Sequence, residues 1–246
     1  MAGIHYKKLQ DWDSGLVRLI VRRHPKGFLG ANIQGERGYG KSMYAYKVMA
    51  KTYMIINGYT QEADAYEDAL KHMLFDPKDF ITLIKNNIEK DYITPILTLD
   101  DATVHFNSYK FFTDIYQVIL LKGLFDTIRT AVTGLLMTCP TRRLLLKFLR
   151  DYDDLKIQIF KLKSQPDAYD RLARCYQFIW YPDDKKYRVH IRFQDKYSCY
   201  VPNEYYEPYM EKRKKYLQQV NEKLERLIQE KHIKQLEKIK KHMEIV

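Results

Sequence analysis

Short apolar runs alternate along most of the chain with segments of helical periodicity. Residues 95–99 and 134–138 are apolar runs of strand length, and we predict further strands at residues 28–34 and 155–162. Between them, apolar residues recur every three or four positions, which is typical of helices that bury one face. Strands separated by helices predict a mostly parallel sheet covered by helices on both faces. The pattern therefore predicts an α/β fold.

Helical periodicity predicts helices at about residues 9–23, 41–56, 61–72 and 77–90. Asn57 and Gly58 indicate the end of the second helix. Asp76 is a natural N-cap for the fourth helix, and Pro77 occupies the tolerated first position. The apolar residues 73–75 lie between two helices and allow a very short strand.

The last third of the chain has a different pattern. Residues 174–181 and 187–193 alternate as strands and are separated by a turn at 182–185, which predicts a β-hairpin, and residues 197–201 allow a third strand. After Pro202 the composition becomes Lys, Glu, Gln, Leu and Ile, which predicts one long basic amphipathic helix. We therefore divide the chain into a core at residues 1–163, a β-rich extension at 164–202 and a helix at 203–246.

A glycine-rich segment joins the first predicted strand to the second predicted helix. It satisfies the pattern GxxxxGK[ST] in the strand-loop-helix context that this motif requires. In such a loop the backbone amides and the helix N-terminus surround phosphate groups, the lysine contacts the β- and γ-phosphate oxygens and the hydroxyl binds Mg²⁺. The predicted nucleotide-binding residues are Gly35, Glu36, Arg37, Gly38, Tyr39, Gly40, Lys41, Ser42 and Met43.

Two adjacent acids follow the strand at residues 95–99. Hydrolysis requires one carboxylate near the metal and a second that orients or deprotonates water, so we assign Asp100 to the Mg²⁺ shell and Asp101 to the water. Adjacent acids after a strand also occur simply as helix caps. Thr138 ends the next strand, where its hydroxyl can sense the γ-phosphate or position water; it can also be only a strand end.

Arg150 is the candidate arginine finger, a residue that a ring-forming ATPase presents to the nucleotide of its neighbour. Arg129, Arg142 and Arg143 are its rivals, and any of them can instead form surface ion pairs. A separate cluster, Trp12, Arg22, Arg23 and His24, precedes the first strand. Its position resembles the one where P-loop ATPases of this kind hold adenine, which makes it a candidate adenine contact; a core tryptophan and a loop cluster are the alternative.

Composition adds a partner and a location to this picture. The net charge of +11 and a pI of about 9.3 favour an anionic partner such as DNA or RNA. No apolar stretch reaches the roughly 20 residues that a membrane span needs, and the N-terminus lacks the apolar core of a signal peptide, so we expect an intracellular protein without a membrane partner. Three widely spaced cysteines indicate neither a disulfide framework nor a zinc site.

The segments GERGYGKS with YAYKV, LFDPKDF, ILTLDDA, GLLMTCP and PNEYYEPYMEKRKKY, in this order, resemble the DnaA-like AAA+ ATPases of archaeal spindle-shaped viruses and related plasmids. The resemblance covers most of the chain. It implies a P-loop NTPase fold of the ASCE/AAA+ type, with an extra strand between the loop strand and the Asp100 strand. It also implies ATP with Mg²⁺, a homo-oligomer, work on DNA, and a place in the host-cell cytoplasm or the virion.

The sequence after Leu162 departs from bacterial DnaA, since a hairpin and one long helix stand where a helical lid and a DNA-binding domain are expected. Replication initiation or helicase loading is our first expectation, and genome packaging or DNA translocation is the second. A non-hydrolysing switch or virion component, and a P-loop kinase with a lid at residues 141–150, stay open. The tail can form a coiled coil through Leu217, Val220 and Leu224, and its basic run at 212–215 can contact DNA.

Overall fold

The computed structural model describes residues 8–104, 115–141, 143, 145–147, 149, 155–162, 169–183 and 185–243. Its chain forms two compact units, Met1–Tyr205 and Tyr206–Val246. The first unit contains a seven-stranded sheet with its flanking helices. The second consists of most of the last helix. Among the described residues, none of the helices has the length and apolar content that crossing a bilayer demands.

Helices and strands alternate through the first unit as the sequence predicts. The helices are α1 (Gly15–Arg23), α2 (Lys41–Asn57), α3 (Glu62–Lys71), α4 (Pro77–Glu89), α5 (Ile115–Thr127) and α6 (Asn203–Met243). The strands are β1 (Leu29–Gln34), β2 (Met73–Leu74), β3 (Thr94–Leu99), β4 (Val132–Cys139), β5 (Leu155–Lys161), β6 (Asp170–Tyr181) and β7 (Lys186–Ser198).

Local sequence explains several of these boundaries. The side chain of Asp76 accepts a hydrogen bond from the amide of Lys78 at 2.8 Å, which caps α4 ahead of its first-turn proline. At the C-terminal end of α2, Gly58 adopts a left-handed φ of 69°, a conformation that glycine reaches without steric cost. Both boundaries confirm the sequence prediction.

The strand order is β2-β3-β4-β1-β5-β6-β7. β2, β3, β4, β1 and β5 pair in parallel, whereas β5–β6 and β6–β7 pair antiparallel. β4 lies between the loop strand β1 and the Asp100 strand β3, which is the intervening strand that the resemblance implies. With helices on its faces and the glycine loop at the end of β1, the sheet has the α/β fold of a P-loop NTPase.

Several elements differ from the sequence prediction. The helix α5 was not predicted, and β6 begins at Asp170 rather than at residue 174. α1 begins at Gly15 rather than near residue 9, because the Ser14 side chain caps it by accepting from the amide of Val17. The prediction of a possible third strand at 197–201 is wrong, because β7 continues unbroken to Ser198 in one ladder with β6. A bulge between Cys175 and Tyr176 bends that ladder without ending it.

The β6–β7 hairpin extends past its pairing with β5. β5 pairs with β6 only over Arg171–Tyr176, so residues 177–181 of β6 pair with β7 alone. Because side chains alternate across a strand, this outer part has two different faces. One carries the exposed apolar residues Phe178, Trp180, Tyr187, Val189 and Ile191; the other carries Gln177, Ile179, Tyr181, Lys186, Arg188 and His190.

A buried carboxylate joins β7 to the first two helices. Asp195 is 3% exposed and accepts hydrogen bonds from the Ser14 hydroxyl at 2.6 Å, the Gly15 amide at 2.8 Å and the Tyr44 hydroxyl at 2.7 Å. Burial, and then the nearby Asp195 charge, raise the pKa of Tyr44 well above its usual value, so this hydroxyl stays a donor. Three donors compensate the carboxylate for its loss of water.

We expect Asp195→Ala to lower the free energy of unfolding by about 3 kcal/mol, because it leaves buried donors without an acceptor. Urea unfolding followed by circular dichroism measures the change. Asp183→Ala is the matched control, since Asp183 is exposed in the hairpin turn and its loss should cost less than about 0.5 kcal/mol. Equal effects of the two variants would contradict a structural role for Asp195.

Lys47 is buried in α2, where its amine donates to the Ser198 carbonyl at 2.7 Å, and burial lowers its pKa from 10.5 to about 8. Between these two values the unfolded chain holds a proton that the folded chain has released, so stability from this group rises with pH. We expect the free energy of unfolding of the wild type, relative to Lys47→Met, to increase from pH 8 to pH 10. A flat difference would contradict the lowered pKa.

Candidate nucleotide-binding site

The glycine loop spans the gap between the end of β1 and the start of α2. Gly38 and Gly40 have φ values of 77° and 83°, in the left-handed region that favours glycine. A Cβ atom at Gly40 would also lie 2.7 Å from the Cβ of Cys199. Position 40 therefore requires glycine for two independent reasons, and Glu36, Arg37 and Gly38 form the exposed tip of the loop.

Lys41 lies at the start of α2 and points back into the loop. Its side chain is buried, and its amine donates to the carbonyls of Gly35 and Glu36, each at 2.9 Å. These bonds hold the ammonium group inside the curve of the loop. A cation at a helix N-terminus surrounded by backbone amides provides the charge and the donors that a di- or triphosphate requires.

Asp100 connects three secondary-structure elements at the carboxyl edge of the sheet. It is 1% exposed, and its Oδ1 accepts from the Ser42 hydroxyl at 2.8 Å and from the Thr138 hydroxyl at 2.5 Å. Ser42 belongs to α2, Asp100 follows β3 and Thr138 lies in β4. The structure thus brings together three residues that the sequence proposes for one site.

Asp101 extends from the same corner in a left-handed conformation with φ of 49°. Its backbone amide donates to the Thr138 hydroxyl oxygen at 2.9 Å, while its side chain is half-buried. The Thr138 hydroxyl therefore donates to Asp100 and accepts from Asp101. One hydroxyl fixes the positions of both acids.

The oxygen donors of Ser42 and Asp100 fit Mg²⁺, which prefers carboxylate, hydroxyl, water and phosphate oxygens at close range. Among the described residues there is no group of three or more His, Cys, Asp or Glu side chains that could enclose a metal. Mg²⁺ commonly keeps waters and substrate phosphates as ligands, so one carboxylate and one hydroxyl from the protein can be enough to hold it.

Residues from β5 and from the hairpin support the loop, and no sequence pattern points to them. The Tyr197 hydroxyl donates to the Gly40 carbonyl at 3.1 Å, and the buried Arg171 donates through Nε to the Tyr39 carbonyl at 3.2 Å. The Lys161 amine lies 4.9 Å from the centre of the Tyr39 ring. These residues lie 120 or more positions from the loop in sequence, and their local sequence pattern reads as ordinary strand.

The arginine candidates and Met43 lie in different parts of the chain. Arg150 and Arg142 lie outside the described residues, and Arg143 is exposed. Arg129 is also exposed and lies in a 3-10 turn, Ile128–Thr130, just before β4. This turn is at the amino edge of the sheet, opposite the glycine loop. Met43 is buried in the first turn of α2.

The proposed adenine cluster does not lie together. Trp12 is a core residue: its indole nitrogen donates to the Lys196 carbonyl at 3.1 Å, and its ring packs edge-on against Tyr44. His24 pairs with the Thr133 hydroxyl at 3.0 Å, so it lies beside the start of β4, at the amino edge. Burial lowers the pKa of His24. The arginines that end α1 share this edge, away from the loop.

Comparison of the sequence finds no matching family model. The protein B-251 of Sulfolobus spindle-shape virus 1 is 26% identical over 226 residues, which covers 90% of this chain and 88% of the relative. ORF286 of Acidianus two-tailed virus is 30% identical over 111 residues, covering 44% of this chain and 35% of the relative. These relatives are proteins of archaeal viruses, which confirms the viral part of the resemblance.

Solved structures give more distant similarities. The N-terminal domain of zonular occludens toxin from Neisseria meningitidis is 17% identical, with a TM-score of 0.41 and coverage of 69% of this chain and 95% of that domain. The genome packaging NTPase B204 from Sulfolobus turreted icosahedral virus 2, in complex with ATP-gammaS, is 13% identical, with a TM-score of 0.39 and coverage of 66% and 96%. We assign the fold from this chain's own strand order and glycine loop.

We expect Gly40→Ala to weaken nucleotide binding at least tenfold, because an added Cβ both strains the left-handed backbone and meets Cys199. Titration of a fluorescent ATP analogue in the presence of Mg²⁺ measures the affinity. Gly58→Ala is the matched control: it has a similar left-handed backbone and lies at the far end of α2. Both variants should lose stability, but only Gly40→Ala should lose affinity.

Tyr197→Phe removes one hydroxyl that supports the loop at Gly40 without changing the packing of the ring against Tyr44. We expect affinity for Mg-ATP to fall about three- to tenfold, since a neutral hydrogen bond contributes about 1 kcal/mol. The same titration checks it, with Tyr181→Phe at the distal end of the hairpin as the control. Unchanged affinity would show that the loop keeps its shape without this bond.

Proposed function

We propose that the chain is a Mg²⁺-dependent ATPase that acts on viral or plasmid DNA. The observation that supports this most strongly is the junction at Asp100, where the hydroxyls of Ser42 and Thr138 meet one buried carboxylate. A phosphate loop alone explains binding. The paired acids just after β3, two strands from β1 in the sheet, add the groups that hydrolysis requires.

Each residue of this site has a distinct role. Lys41 would exchange its carbonyl partners in the loop for β- and γ-phosphate oxygens, while the loop amides and the α2 N-terminus bind the remaining phosphate charge. Ser42 and Asp100 would hold Mg²⁺. When bound, this ion neutralises charge on the phosphates during transfer.

Asp101 would orient the attacking water and accept its proton, because it is the acid of the pair whose side chain remains partly open to solvent. Thr138 is a positioning residue. Its hydroxyl holds the Asp101 backbone and the Asp100 carboxylate at the same time, so the metal-holding and water-activating groups keep a fixed separation.

The strand order favours an ATPase over a P-loop kinase. In the kinases, the strand that carries the metal-holding acid is placed differently relative to the loop strand. Here β4 separates β3 from β1. This arrangement places Thr138 between the loop and the two acids, where it contacts both acids.

The enzymatic proposal is tested by two variants measured side by side. Lys41→Ala should reduce Mg-ATP affinity by more than tenfold, because the ammonium group provides the main cation for the terminal phosphates. Asp101→Asn should bind Mg-ATP within about threefold of wild type but hydrolyse it at least a hundredfold more slowly. Release of inorganic phosphate and nucleotide titration give the two readouts.

Asp183→Asn is the control for Asp101→Asn and should hydrolyse ATP at the wild-type rate. If the wild type binds Mg-ATP but never releases phosphate, even with DNA present, the non-hydrolysing switch or virion component replaces the enzyme. Unchanged Mg-ATP binding by Lys41→Ala would contradict the assignment of the glycine loop as a nucleotide site.

The biological task has two candidates. The resemblance favours DnaA-like replication initiation or helicase loading. The hairpin favours DNA translocation, including genome packaging, because β6 and β7 extend the sheet after β5 and resemble the β additions of DNA-pumping ATPases. A translocating enzyme shows ATPase stimulation that rises with DNA length and displaces a bound third strand from the duplex, whereas an initiator or loader does neither.

A further inference from the structure

A groove lies at the amino edge of the sheet, opposite the nucleotide site. It has a volume of about 340 Å³ and opens to solvent. Its floor is apolar and its rim is polar; the rim residues are Arg23, Asp126, Arg129, Gln177 and Arg192. β1 has six residues and separates this groove from the glycine loop by about 20 Å, at roughly 3.3 Å per residue.

The three arginines of the rim come from separate elements. Arg23 lies in the last turn of α1, Arg129 in the turn before β4 and Arg192 in β7. Arg23 donates to the Leu19 carbonyl within its own helix at 3.3 Å. Within the described part of the chain, neither Arg129 nor Arg192 forms an ion pair.

Asp126 is the acid of the rim, and it forms an ion pair with Lys122 at 3.2 Å. Its charge is therefore already offset by a residue of its own helix. The rim retains excess positive charge in a concave site, where low-dielectric walls strengthen the field that acts on an anion.

The positive charge continues along the hairpin. Gln177 pairs with His190, and alternation places Arg188 and Lys186 on the same face. From Arg192 to Lys186 the strand extends about 20 Å at roughly 3.3 Å per residue. Since one strand of duplex DNA carries a phosphate about every 3.4 Å along the axis, this distance matches several consecutive phosphates rather than one small anion.

We propose that this groove and the adjoining basic face of the hairpin bind the phosphodiester backbone of a nucleic acid. Arg129 and Arg192 contact phosphate oxygens at the groove, where guanidinium groups can bind two oxygens each. Arg188 and Lys186 extend the contact along the hairpin. This inference rests on the proposed function only for the choice of DNA as the polymer. The contacts of the groove do not depend on ATP hydrolysis.

The test measures DNA binding without nucleotide, with fluorescently labelled duplex and single-stranded DNA over a range of salt concentrations. The full chain carrying Arg129→Gln and Arg192→Gln should lose at least tenfold in affinity at low salt. The slope of log affinity against log salt should become shallower by about 2, because each lost phosphate contact removes about 0.9.

The control is the full chain with Lys8→Gln and Lys78→Gln, which removes the same charge from exposed positions outside the groove. Its affinity for DNA and its salt slope should change only by the small amount that a lower net charge causes. Thermal unfolding establishes that both double variants fold. Equal losses in the two double variants would overturn the proposal, because the contact would then be diffuse.

Two further arms separate the alternatives. Inorganic pyrophosphate at micromolar concentration should not displace DNA; displacement would assign the groove to a small phosphate compound and overturn a nucleic-acid role. Lys41→Ala should bind DNA as the wild type does. If the wild type hydrolyses ATP and the groove variants bind DNA normally, only this inference is overturned. If DNA binding depends on the groove but the wild type never hydrolyses ATP, the proposed enzyme is overturned and the groove assignment stands.

Discussion

The contacts of one carboxylate fix the geometry of the candidate nucleotide-binding site. Asp100 accepts hydroxyl hydrogen bonds from Ser42 and Thr138, and it therefore joins the first turn of α2 to the ends of β3 and β4. A buried acid with two good donors is stable in place, whereas the same acid without them would be costly to bury. The position of Asp101 follows, because its amide shares the Thr138 hydroxyl.

The hairpin belongs structurally to the site although it lies at the other end of the sequence. Tyr197 and Arg171 donate hydrogen bonds to two carbonyls of the loop. In the same region of β7, Asp195 accepts hydrogen bonds from Ser14 at the start of α1 and from Tyr44 in α2. The glycine loop is flexible by composition. Contacts with strands that follow it by more than 120 residues therefore help Lys41 to hold its shape.

The two edges of the sheet have different chemistry. At the carboxyl edge, loop amides and one lysine face paired acids, a combination that suits a phosphate chain with a divalent cation. At the amino edge, arginines surround an apolar floor with one acid that is already paired. The buried strand β1 runs from one edge to the other.

The sequence by itself determined most of the elements and the glycine-rich motif. Apolar runs gave the strands, Asp76 and Gly58 marked helix ends, and the loop from Gly35 to Ser42 needed only local backbone geometry and helix position to be recognised. Only the tertiary structure decided which distant residues complete the site: Thr138 bridges the two acids, and Tyr197 and Arg171 support the loop. It also showed that β7 continues to Ser198, where the sequence allowed a separate third strand. The physical reason is range, because caps and periodicity act within a few residues, whereas hydrogen bonds between strands depend on pairing and register that no local pattern specifies.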